Sequence, residues 1–579
     1  MNKFSPNIHY FVSMSSPQSH LFTVTLNIEN WQENILTLKM PVWTPGSYLV
    51  REYSRHLQNF AVNSDDNSIQ LNWQKTAKNT WKIDTKNQTN IIIKYQIYAN
   101  DLTVRTNHLD ATHGYFNGAA LFFYIPDYQQ LPIEISIEPP ESHWQISTSL
   151  PRIADRKNTF LAENFDTLVD SPFEIGTQKI VHFKVENKPH QWVIWGEGNI
   201  DITKLVKDTE KIIKTEAKIF GDLPYKDYFF LLHLSASGFG GLEHKNCCVL
   251  NYPRFGFQKP EKYDRFIQLV AHEFFHLWNV KRIRPKALET FDYEQENYTT
   301  SLWFSEGSTS YYDMIIPLRA KIYNRRVFFD LLSKDITQYL NTPGRQIQPL
   351  AESSFDAWIK LYRRDSYSNN CQISYYLKGQ LVTLLLDLLI RKNTDSEKSF
   401  DDVMLTMWNK FGKEEIGFTP EDLKQEIELI ANTDLTEFFK LYLDSTIELP
   451  FNEYFEPFGL ILEEKIDKNT PPYLGLKTQK DNGVEKITFV DANSPAGKAG
   501  IDADDELLAI DNFRVTSDNL NDRLQDYQPL DVIKLTYFHQ EELKTAHIKL
   551  EAPKPSSYQV KIIDNPSKKQ QEMLNKWLS

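Results

Sequence analysis

The chain has 579 residues, three cysteines and a net charge of −13, with 41% apolar and 13% aromatic side chains. That length exceeds what one hydrophobic core organises and implies roughly three or four domains. The apolar content excludes a disordered chain. Charge is spread along the sequence, with basic runs no longer than Lys281–Arg284, so the basic face or arm of a nucleic-acid binder is absent.

The first twenty residues carry one lysine and no unbroken apolar stretch, so they do not read as a signal peptide. Leu381–Ile390 is interrupted by Asp387 and is too short to span a bilayer. Cys247 and Cys248 are adjacent, a strained arrangement for a disulfide, and free thiols suit a reducing compartment. The expectation is a cytoplasmic protein with no membrane partner, a periplasmic location being the alternative.

From residue 8 to about 170, short alternating runs such as Leu21–Ile28 and Ile91–Tyr98 predict strands. Ile202–Phe220 has apolar residues at helical spacing, and a mainly helical segment is expected to about residue 445. Within it Asp264–Val280 reads as a helix N-capped by Asp264, burying Phe266, Leu269, Val270, Phe274 and Leu277. After Pro450 strands return at Ile487–Val490, Glu506–Ile510 and Val532–Phe538, around the turn-like Ser494–Gly500. Met573, Leu574, Trp577 and Leu578 mark a final helix that docks on the body. The fold class expected is multidomain α+β. Residues 1–173 form a β-sandwich-like domain, 174–455 a mainly helical catalytic domain, 456–555 a separate module and 556–579 a helical tail.

The chemistry lies in His272-Glu273-Phe274-Phe275-His276. In a helix His272 and His276 are one turn apart and point the same way, so both imidazoles can grip one metal ion, with Glu273 in reach of a water beside it. A catalytic zinc site needs a third protein ligand and an open position. Glu306, in the aromatic segment Trp303–Tyr312, supplies it, because Glu289, Glu294 and Glu296 lie in a polar stretch that reads as loop. Such a site, with one zinc per chain, points to hydrolysis of a peptide carbonyl by a water that Glu273 activates.

His272–Pro285, followed by Trp303–Tyr312 and Tyr375–Gly379, resembles the M61 peptidases, or glycyl aminopeptidases, a branch of the gluzincins with a thermolysin-like catalytic domain. Pro41–Tyr53 is similar to that family's N-terminal β domain, and the C-terminal module resembles a PDZ domain. The resemblance implies an aminopeptidase acting after small N-terminal residues, Gly or Ala, on peptides with a free N-terminus. It places Gly240, Gly241 and Glu243 in a substrate-recognition segment, with Glu243 holding the α-amino group. It assigns oxyanion stabilisation to Tyr376, with Tyr375 as the rival. Leu474, Gly475 and Leu476 become a PDZ carboxylate-binding loop for a C-terminal peptide partner. Arg282 and Arg284 are left between steadying Glu306, binding a substrate carboxylate, capping carbonyls and lying solvated at the surface. Alternatives to the aminopeptidase are a zinc endopeptidase with an open cleft and a non-catalytic PDZ adaptor.

Overall fold

A computed structural model describes residues 5–65 and 69–579. The chain divides into two compact units, Met1–Tyr298 with Met404–Thr419, and Thr299–Val403 with Pro420–Ser579. The histidine motif and Glu243 belong to the first, Glu306 and Tyr376 to the second.

In the first unit the N-terminal strands alternate apolar and polar residues, so one face of each is buried. Leu21–Glu29 shows this directly, with Phe22, Val24, Leu26 and Ile28 buried and their neighbours part-exposed. It pairs with Asn7–Ser13 and Ile91–Tyr98 at the centre of a six-stranded sheet. A three-stranded sheet (Ile35–Lys39, Thr80–Asp84, Trp73–Ala77) and a four-stranded one (Gln145–Ser147, Phe173–Gly176, His113–Phe116, His108–Leu109) complete the β domain. Side chains of all three sheets meet in one core that includes Tyr10, Val24, Leu38, Trp81, Phe116 and Phe173. The N-terminal domain is therefore β-rich, with three sheets around one core.

The middle segment opens on strands where a mainly helical stretch is expected. Residues 179–253 form a five-stranded sheet in the order Lys179–Val185, Lys188–Trp195, Tyr228–Ser235, Cys247–Pro253, Gly240–Glu243. Tyr228–Ser235 (YFFLLHLS) and Cys247–Pro253 (CCVLNYP) are almost wholly buried, and continuous apolar runs of that length show no period to separate strand from helix. Helix Ile202–Phe220 forms as expected, capped by the Asp201 side chain on Lys204 N–H (3.0 Å) and ended by Gly221 at φ +86°.

The two groups of strands are tied by a buried charge cluster. Glu174 accepts from His113 Nδ1 (2.9 Å) and His233 Nε2 (2.7 Å), all three at most 1% exposed. Both separations are hydrogen-bond lengths, shorter than the ~3.3 Å between two ligands on one tetrahedral zinc, so the cluster reads as a proton-linked triad. The two imidazoles outweigh the desolvation of Glu174 and lower its carboxyl to about 2.

In the second unit the helix Tyr375–Asn393 is almost entirely buried. Residues 368–393 are long and apolar enough to cross a membrane by length and composition, yet 83% of their most apolar 18-residue stretch is packed inside the protein. Asp387, the charge within it, accepts from Tyr311 Oη (2.5 Å), Arg391 Nε (3.0 Å) and Phe400 N–H (2.8 Å). Further on, Leu476–Asp481, Val484–Val490, Glu506–Ile510, Val532–His539 and Glu542–Lys549 form a sheet in that order, with its own core from Leu474 to Leu550. The last residues are not wholly helical: Ser557–Ile562 pairs with Leu460–Lys465 as a separate two-stranded sheet. Only then does the chain enter helix Lys568–Trp577, burying Trp577 with its Nε1 donating to Tyr311 Oη (3.0 Å).

Candidate active site

The helix with the histidine motif runs from Pro260 to Phe275, starting before the expected cap at Asp264 and ending with His276 as its C-cap, short of the expected Val280. Proline at the first helical position, preceded by Lys259, sets its entry, so Asp264 is inside the helix and is not the N-cap. The buried face carries Phe266, Ile267, Leu269, Val270 and Phe274. That packing leaves His272 and His276 side by side, ring centroids 4.6 Å apart and nearly perpendicular. His276 Nδ1 is 2.5 Å from the Asn279 carbonyl oxygen, which fixes its proton there and leaves Nε2 with a lone pair for a metal.

The edge strand Gly240–Glu243 faces this helix. A Cβ on Gly241 would lie 2.2 Å from the Glu273 carboxyl carbon, so only glycine lets the strand approach the base. Glu243, two residues on and therefore on the same face of the strand, is 3% exposed, and its Oε1 has no hydrogen-bond partner among the described residues. Glu243, Glu273 and His276 each offer an atom within 4.8 Å of the others. Two buried carboxylates so close repel each other, and a cation between them relieves the repulsion. Glu243 also packs on Gly46, whose φ is +85° and whose Cβ would fall 2.4 Å from Oε1. Trp43, Gly46, Tyr48 and Glu243 border a cavity of about 20 Å³, the size of a water molecule.

Arg282 is committed to carbonyls, donating to Leu277 O (2.8 Å) and Pro224 O (2.9 Å), while Arg284 pairs with Glu415 (2.9 Å). Of the roles left open for them, carbonyl capping fits Arg282; Arg284 is buried against Glu415 in an ion pair, which is none of them.

In the second unit Glu306 is 2% exposed on a π-helical turn, Trp303–Ser308. Such turns misalign one backbone hydrogen bond to re-aim a side chain. Gly307, next to it, abuts Gly379, and a Cβ there would sit 2.6 Å from backbone. Tyr376 Oη lies 2.9 Å from Tyr362 Oη, with Tyr375 Oη at 3.3 Å from the same hydroxyl. Tyr375 is wholly buried and Tyr376 half-buried. Burial, and then the Glu306 charge, push the Tyr376 phenol well above its ordinary range, keeping it a proton donor.

Leu474, Gly475 and Leu476 lead into the edge strand of the C-terminal sheet. Gly475 is at φ +86° against Ser494, where a Cβ would meet Ser494 Cβ at 2.0 Å. Asp504 adopts φ +75°, in the left-handed region.

Sequence reasoning missed Gly46, Arg105 and Tyr362. The Pro45–Gly46 pair is a legible turn signal, whereas Arg105 and Tyr362 lie in stretches with no motif, and only the fold shows what they touch.

Two imidazoles one helical turn apart, a buried glutamate between them in sequence and, alongside, a carboxylate oxygen without a partner among the described residues define a metallopeptidase. Residues 9–177 match the peptidase M61 N-terminal domain and residues 265–382 the M61 glycyl aminopeptidase domain. An aminopeptidase N family protein from Idiomarina loihiensis, solved by crystallography, is 30% identical across 99% of this chain and 100% of that one, with a TM-score of 0.92. The chain belongs to the M61 peptidase family. More distant likeness extends to an M1 zinc metallopeptidase from Deinococcus radiodurans, 10% identical over 77% of this chain and 96% of that one with a TM-score of 0.47. It extends also to a yeast LTA4 hydrolase solved with bestatin, 15% identical over 78% and 69% at 0.45. No curated protein matches the sequence.

Proposed function

We propose that the protein is a zinc aminopeptidase that releases glycine or alanine from peptides with a free N-terminus. The observation that carries this reading is the buried Glu243 Oε1, without a partner among the described residues, beside Glu273 and His276. A substrate α-ammonium is a cation of the right size to sit there, and burial would strengthen its charge-assisted hydrogen bond.

His272, His276 and Glu306 would hold the metal, an N, N, O donor set suited to zinc. Zinc bound there would supply a Lewis acid for the scissile carbonyl and would acidify water. The remaining steps belong to the chain. Glu273 takes the proton of the attacking water and returns it to the leaving amine. Tyr376, kept protonated, donates to the oxyanion as it develops. Glu243 binds the α-ammonium, which fixes cleavage one residue from the end.

The Leu474–Leu476 loop and the open edge of Leu476–Asp481 support a second reading for the C-terminal module, a PDZ-like site that takes a peptide C-terminus by strand addition.

The experiment is metal analysis with kinetics on alanine- and glycine-initiated peptides. The protein should carry about one zinc per chain, and chelation should abolish turnover reversibly. Glu273→Gln should retain the metal and lose roughly 10²–10⁴ in kcat. His276→Ala or Glu306→Ala should lose the metal itself. Full activity in metal-free protein would contradict the reading.

A further inference from the structure

The edge strand Gly240–Glu243 holds a charge at each end, and only one of them has a role so far. Its ladder to Cys247–Pro253 pairs Gly241 with Leu250 and Glu243 with Cys248. In an antiparallel ladder the N–H and C=O of one residue point to the same side, alternating along the strand. His244 N–H goes to Cys247 O (2.9 Å), whereas Gly241 C=O accepts from Arg105 Nη2 (3.0 Å). Gly241 and Glu243 therefore turn their backbone groups toward the open edge, and Arg105 stands on that edge.

Arg105 is held there from its own backbone. Its N–H donates to Thr103 Oγ1 (3.2 Å) and its carbonyl accepts from Tyr53 Oη (2.9 Å). Nη1 lies 3.8 Å from where a Gly240 Cβ would be, and Nε is buried with no hydrogen-bond partner among the described residues. The half-exposed guanidinium thus donates one bond to the strand and forms no ion pair with a carboxylate among the described residues.

Along the strand the order is Arg105 at Gly240–Gly241, Glu273 against Gly241, and Glu243 two residues further. Two to three residues of strand span about 7–10 Å, the length of an extended dipeptide or tripeptide. A cation at one end, an anion at the other and the general base facing Gly241 complement a short peptide zwitterion, running antiparallel to the strand. We infer that Arg105 is a carboxylate-binding residue, and that the substrates are dipeptides and tripeptides whose free C-terminus it engages. The inference rests on the aminopeptidase reading, with Glu243 as the amine anchor, and adds the substrate class. No comparable role falls to Arg282 or Arg284, whose guanidinium groups are committed to carbonyls and to Glu415.

The test compares kcat/KM for trialanine with that for trialanine amide, on zinc-loaded wild-type protein and on Arg105→Gln and Arg105→Lys. The wild type should favour the acid by roughly 10- to 100-fold. Arg105→Gln should erase that preference chiefly by slowing the acid, and Arg105→Lys, which keeps the charge, should restore part of it. Capping of the Gly241 carbonyl alone would slow acid and amide alike in Arg105→Gln, and that result, or equal wild-type turnover of the two, would overturn the inference while leaving an aminopeptidase. Absence of cleavage of either peptide by the wild type would overturn both.

Discussion

Tyr375 and Tyr376 stack at 4.7 Å and share one hydroxyl partner, Tyr362, so the sequence offers two adjacent candidates for an oxyanion donor. The fold separates them by surroundings. Tyr375 is sealed in the core, whereas Tyr376 is half-buried and feels the Glu306 charge. Tyr376→Phe should therefore lower kcat by roughly 10²–10³ with little change in KM, and Tyr375→Phe should lower stability more than rate. Steady-state kinetics on both variants decides; the reverse pattern would move the oxyanion role to Tyr375. At this scale Glu273, His272 and His276 were legible because a helical period fixes which side chains share a face. Arg105 was not legible, since its role comes from a tertiary contact 136 residues away with Gly241.

At the scale of elements, the strand that carries Glu174 joins His113 and His233 in one buried cluster. The Glu174 carboxyl is lowered to about 2 from an ordinary 4.5, so its contribution is fully present above the unfolded-state value and is lost as pH falls through about 2. A displacement of that size corresponds to about 3 kcal/mol. Glu174→Gln should cost a similar amount near neutral pH, and the gap between wild type and variant should narrow as pH falls from about 5 toward 2. Urea denaturation across that range measures it, and a gap independent of pH would contradict the assignment. The same strands show where periodicity fails as a guide. Alternation located the N-terminal β domain because each strand there has one wet face, but Tyr228–Ser235 and Cys247–Pro253 are dry on both faces and lost that signal. Helix Ile202–Phe220, with one buried stripe and caps at both ends, was legible to its last residue.

For the molecule as a whole, the order β domain, catalytic motifs, C-terminal sheet was readable from changes in texture along the chain, and the M61 relationship spans both matched domains. The compact units cut across that order, because contacts group the histidine helix with the N-terminal strands and Glu306 with the C-terminal sheet. Chain order does not encode such grouping, which depends on how distant elements pack. The activity proposed for the whole rests on one claim, that the substrate enters by its free amino end. The most direct measurement is the ratio of turnover for an alanine-initiated peptide and its N-acetylated form by the zinc-loaded protein. Acetylation deletes the cation that Glu243 is placed to bind and adds bulk beside that carboxylate, so the free peptide should be cleaved at least about 100-fold faster. Equal turnover of the two would contradict the aminopeptidase account and leave an endopeptidase in its place.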